Sequence, residues 1–287
     1  MNRWLALLLL VPCVACGLHE GGVPADGGAL DATLDSGPLD ATDDGAGQDA
    51  LIGDGGADVA LDADAGCPTN LEGPAMLLVD GYCIDQTEVT KTHYDRFLGA
   101  VADAGFVPSA ACTWNKTLGD LTPSNWDPKV NGLAPVTEVD WCDAYAYCAW
   151  AKKRLCGARL GGALGAKVAS NDATSQWYSA CSRGGTRTYA YGNTWDNTKC
   201  RDDNQSGTVA DVKSYAQCEG GYSGLFDMTG NASEWIDQCA GPGRGDDCVT
   251  QGGNYGSDDK AAKCDAQETA TRDHDSADWL GIRCCWP

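Results

Sequence analysis

The chain has 287 residues, three histidines, sixteen cysteines and a formal net charge of −21. So acidic a protein lacks the basic footprint that nucleic acid or an anionic membrane surface requires, and nucleic-acid partners are excluded on that ground. The charge is also unevenly laid out, so the chain is best taken from its first residue onward.

Arg3 precedes the apolar run Trp4–Val11, and small residues lead from there to Cys16. This is the layout of a secretory signal, and the run is too short for a bilayer-spanning helix. A cysteine ending such a run resembles a bacterial lipobox, so residues 1–16 are read as a lipoprotein signal with Cys16 as the lipidated residue. Cys13 stands where that pattern usually has leucine, and a plain signal peptide cut nearby is the alternative. Gly17 follows Cys16 in place of a retaining aspartate, which favours an outer-membrane or cell-surface address and makes the membrane a partner through the anchor.

Residues 17–66 are expected to be a disordered tether. From residue 20 onward it holds twelve acidic residues, no Lys or Arg and no aromatic residue. It cannot bury enough apolar surface to offset the entropy of ordering. A Gly-rich coil of this length spans roughly 40 Å, and self-repulsion extends it.

Residues 67–287 form the globular domain, with 29 acidic against 19 basic side chains and fourteen of the cysteines. An even number of cysteines, export and the absence of CxxC pairs favour up to seven disulfides over a zinc or iron–sulfur site. Short separations suggest Cys67–Cys83, Cys200–Cys218 and Cys239–Cys248, although spacing alone does not fix connectivity. Thr90 is placed to cap a helix reaching about Asp103, with Tyr94, Phe97, Leu98 and Val101 at helical spacing and Gly105 as the stop. Asp140 and Asp143 have capping-box spacing for a second helix reaching about Lys153, whose basic end suits the helix dipole. Elsewhere Gly, Asn, Asp and Trp dominate without sustained periodicity. Nine of the chain's ten tryptophans lie in this domain, and they suggest a core of aromatic plugs and disulfides in place of large sheets.

Several segments then occur in a telling order. They are Met76–Glu88, Pro135–Trp141, Ala146–Leu155, Gln176–Gly185, Tyr191–Asn193, Gly224–Trp235, Gly252–Tyr255 and Gly281–Cys284. The series resembles the formylglycine-generating enzyme (sulfatase-modifying factor) family from about residue 74 to 285. The resemblance implies an α+β, variant C-type-lectin-like fold, disulfide-rich and poor in regular structure. It also implies oxidation of a substrate cysteine by oxygen at a copper ion held by two cysteine thiolates. Those cysteines lie four and nine residues past the second glycine of the Gly-Gly segment. Counted from Gly253, the positions are Ser257 and Ala262. A soft copper ion needs soft anionic sulfur, which neither a hydroxyl nor a methyl supplies. No catalytic residue is therefore assigned, and copper is not expected.

The resemblance further implies the disulfides Cys148–Cys284, with Cys285 as the alternative partner, and Cys181–Cys264. It leaves Cys112, Cys142, Cys156 and Cys285 unassigned. It also implies a calcium ion held by the Asp227 and Glu234 carboxylates and the Gly230 and Ala232 carbonyls, a hard-oxygen set of the kind calcium prefers. Cys156–Asp172 is longer than the family's usual link and reads as an added surface loop. Three functions follow: a non-catalytic binding or structural module for a protein, peptide or saccharide; an oxidase acting on a protein cysteine or small thiol; and a calcium-dependent saccharide binder.

Overall fold

A computed structural model describes residues 66–124, 126–203 and 207–287. Cys16 and residues 17–65 of the acidic segment lie outside the described residues. No helix among the described residues is long and apolar enough to cross a membrane.

The chain begins with a hairpin of β1 (Met76–Val79) and β2 (Tyr82–Asp85), turned through Asp80 and Gly81 at positive φ. Helix α1 (Lys91–Ala104) follows. The Thr90 side chain accepts from the His93 amide, and the His93 ring accepts from the Thr90 amide, which satisfies two donors that the helix start leaves open. Tyr94, Phe97, Leu98 and Val101 form its buried stripe.

Helix α2 (Trp141–Trp150) starts at the Asp140–Asp143 capping box. It ends three residues earlier than the sequence pattern suggests. Lys152 turns the chain with φ 58°, which carries Lys153 inward. There its ammonium lies 2.6 Å from Asp85 Oδ1 and donates to the Pro74 carbonyl, with both charged side chains fully buried. Lys153 thus serves a buried ion pair and not the helix dipole. The short strand β3 (Arg154–Leu155) and helix α3 (Gln176–Ser182) follow, the latter capped by Ser175. The added segment Gly157–Asp172 packs Leu164 beneath it. Gln238 holds it by donating to the Gly165 and Val168 carbonyls.

The last five strands are β4 (Ser233–Cys239), β5 (Asp247–Gln251), β6 (Gln267–Thr271), β7 (Leu280–Ile282) and β8 (Cys284–Trp286). They complete two four-stranded sheets, ordered β1-β2-β8-β3 and β6-β5-β4-β7. The first is antiparallel throughout, and the second is antiparallel except for the parallel β4–β7 pair. Only Arg283 separates β7 from β8, so the C-terminal strand passes from one sheet to the other at that residue.

Alternation along these strands divides the apolar side chains into two cores. Trp235, Cys248 and Cys284 join the core under α1 and α2, while Ile236, Val249 and Cys285 join the core under α3. Successive strand residues face opposite ways, so the adjacent Cys284 and Cys285 cannot reach the same partner. Cys284 pairs with Cys148 of α2, and Cys285 pairs with Cys156 on the other face. The remaining bridges are Cys67–Cys83, Cys112–Cys142, Cys181–Cys264, Cys200–Cys218 and Cys239–Cys248. The bridges at Cys148, Cys156 and Cys181 span 136, 129 and 83 residues. Loop-closure entropy makes each worth about 4.5–5 kcal/mol in the chain-entropy account. Large aromatic side chains fill the rest: Trp177 and Trp235 are fully buried, and the Trp235 indole donates to the Val139 carbonyl across the core.

Candidate functional site

The segment after Gly253 is a tight, closed turn. The Ser257 hydroxyl accepts from the Asn254 amide at 2.8 Å, and its carbonyl accepts from the Asp203 amide. Gly253 has φ 66°, and a Cβ there would press on Ser257 Oγ and the Ala261 carbonyl at 2.8 Å. Ala262 is completely buried. The cavity lined by Gly253, Ala261 and Gln251 measures about 10 Å³, room for roughly one water molecule. Ser257 therefore caps a turn, and Ala262 is packing.

Copper is tested by the sulfur available. All fourteen cysteines of residues 67–287 are joined in seven disulfides, so no thiolate among them is free to bind a soft metal ion. The residues do not fit copper.

Asp227, Gly230, Ala232 and Glu234 all lie in one buried segment entering β4. Their carboxylates have partners already. Arg283 Nε lies 2.9 and 2.8 Å from the two Glu234 oxygens, and its Nη2 lies 2.8 Å from Oε1. The Trp177 indole donates to Glu234 Oε2 at 2.6 Å. Asp227 Oδ2 accepts from the Lys213 amide. Among the described residues no group of three or more His, Cys, Asp or Glu side chains is arranged to hold a metal ion. The family resemblance implies calcium between the Asp227 and Glu234 carboxylates and the Gly230 and Ala232 carbonyls. In the fold the cation against Glu234 is the Arg283 guanidinium, and with the Trp177 indole it occupies both carboxylate oxygens that calcium would need.

This buried centre also contains Glu88, from the segment Met76–Glu88. Glu88 is wholly buried, accepts from the Asn231 side chain through Oε1, and has no partner for Oε2. Burial, reinforced by Asp227, raises its carboxyl well above the usual range. Asp227 is pushed up to about 6, chiefly by burial. Burial would depress the Arg283 guanidinium, but Glu234, Glu88 and Asp227 outweigh that and hold it above its ordinary value. Arg283 also donates to the Asp85 and Phe226 carbonyls, which ties both sheets and the Asp227 loop to one cation. Arg283 and Glu88 stand within Gly281–Cys284 and Met76–Glu88, but nothing local signals that Arg283 pairs with Glu234, 49 residues away.

The sequence matches the sulfatase-modifying factor enzyme 1-like domain over residues 51–287. The chain belongs to that family, and its α+β, disulfide-linked fold is the family's. Among solved structures, CarF shares 20% identity at a TM-score of 0.49, covering 76% of this chain and 96% of that one. PvdO from Pseudomonas aeruginosa shares 16% at 0.48, covering 77% and 89%. Treponema denticola variable protein 1 shares 19% at 0.46, covering 71% and 84%. No curated protein matches the sequence at comparable stringency.

Proposed function

We propose that this protein is a non-catalytic member of the sulfatase-modifying factor family, exported and held at the cell surface by a lipid on Cys16. In this reading its 67–287 domain binds a ligand and does not oxidise one. The observation that carries the reading is the replacement of the family's reactive pair by Ser257, which caps a turn, and Ala262, which is buried in packing. The seven disulfides support an oxidising compartment. No step of the proposed function passes through copper or calcium.

The test has two arms. Purified protein given copper(I), oxygen and a cysteine-containing peptide is expected to form no aldehyde and to consume oxygen no faster than copper and peptide do without it; turnover would overturn the non-catalytic reading. Cys16→Ser is expected to move the protein from the membrane fraction to the soluble fraction. Unchanged membrane association would overturn the anchor.

A further inference from the structure

Helix α3 ends at Ser182, and Arg183 follows with φ 52° and ψ 57°. Glycine is the usual occupant of that left-handed position, and a side chain there costs about 1 kcal/mol. Gly184 and Gly185 come directly after it at φ 66° and 86°. Together they bring the exposed Arg183 to the rim of a recess of about 340 Å³, between Arg183 and Arg187 on one side and Glu219–Ser223 on the other.

The far wall is internally satisfied. The Gly220 amide donates to the Leu225 carbonyl, and the Gly221 amide to the Ala190 carbonyl. The Tyr222 hydroxyl donates to Asp80, and Glu219 Oε1 accepts from the Ser223 hydroxyl and the Gly224 amide. Arg187 gives one N–H to the Ala190 carbonyl. None of the four ion pairs among the described residues involves Arg183, Arg187 or Lys263. In a domain with ten more acidic than basic side chains, two guanidinium groups and one carboxylate, that of Glu219, line the recess, and neither guanidinium is in an ion pair among the described residues. A second recess of about 350 Å³ shares Arg187 and adds Tyr178, Asn193, Lys263 and the carboxylate of Asp265.

We propose that this recess takes a small anionic ligand, whose carboxylate or phosphate-type oxyanion is held between Arg183 and Arg187. The assignment rests on the binding-module reading and supplies its ligand class. Guanidinium groups present forked N–H donors that match such oxyanions, and an anion between two like charges relieves their repulsion. The recess is of the size that small-molecule sites occupy.

Calorimetric titration of the full chain at low salt, with inorganic phosphate, sulfate and succinate in turn, tests the site. Saturable binding of at least one anion is expected, weakening as salt rises. Removing one charge-assisted contact, in Arg183→Gln or in Arg187→Gln, is expected to weaken it about tenfold or more. Lys129→Gln, on an exposed loop, is expected to bind as the unsubstituted protein does. A preference for phosphate over succinate, or the reverse, separates a phosphorylated ligand from a carboxylic acid. No saturable binding of any of the three anions would overturn the site, as would binding unchanged in both arginine variants. Either result would leave the non-catalytic reading standing, since that depends on turnover and not on this recess.

Discussion

Replacing Arg283 with methionine removes the only guanidinium among the described residues that contacts Glu234, and leaves that carboxylate buried beside Glu88 and Asp227. Arg283 is 0% exposed and Glu234 1%. Breaking a buried pair by deleting one partner costs about 3–5 kcal/mol, because the surviving charge stays desolvated. For a domain above 150 residues each kcal/mol moves the midpoint roughly 2–4 °C, so a fall of about 6–20 °C is expected. The assay is thermal unfolding with disulfides intact, read by calorimetry and near-ultraviolet dichroism. Glu234→Gln added to Arg283→Met should recover part of the loss, since it removes the stranded charge, and the double-mutant cycle isolates that coupling. A loss under about 1 kcal/mol, or strict additivity in the cycle, would refute Arg283 as the charge that organises the centre.

Asp202 is wholly buried, neither of its oxygens has a hydrogen-bond partner, and burial pushes its carboxyl up to about 7. Asp140 is likewise raised to about 7 and Asp85 to about 6, burial leading in both. A raised folded-state value means the folded protein holds extra protons, so this stability is full below about pH 4 and is lost as pH rises through 6 to 7. His93, lowered to about 4 by burial, opposes this between its two values but is one group against several. The melting midpoint is therefore expected to fall from about pH 5 to pH 8, less steeply in Asp202→Asn; a rise over that range, or an unchanged slope in the variant, would contradict the sign. Cys284→Ser should release a reactive thiol at Cys148, and Cys285→Ser one at Cys156, by mass mapping of the labelled residue; the swapped result would contradict the strand alternation. Millimolar calcium and chelator should leave the midpoint unchanged, whereas a calcium-dependent rise abolished by Glu234→Gln would mean that Glu234 leaves Arg283 for the ion.

What the sequence revealed was local chemistry and motif order. The Thr90 and Asp140 caps, the α1 stripe and the loss of sulfur at Ser257 and Ala262 each depend on residues a few positions apart. Long-range partners were not legible. Lys153 looked like a helix-end charge because Asp85 lies 68 residues away, and Glu234 looked like a free ligand because its cation sits at Arg283. Adjacent Cys284 and Cys285 are indistinguishable in sequence; only the position of β8 between two cores sends one face to α2 and the other to Cys156. The arginine recess was equally hidden. Arg183 belongs to a quoted motif, but the wall opposite it comes from Glu219–Ser223.

The proposed lack of oxidase chemistry requires that residues 67–287 hold no free thiolate for copper. The mature protein, denatured without reduction in the presence of a thiol reagent and weighed by mass spectrometry, tests it most directly. No labelled cysteine in residues 67–287 and no copper carried by the native protein are expected. Two labelled cysteines together with bound copper would contradict it.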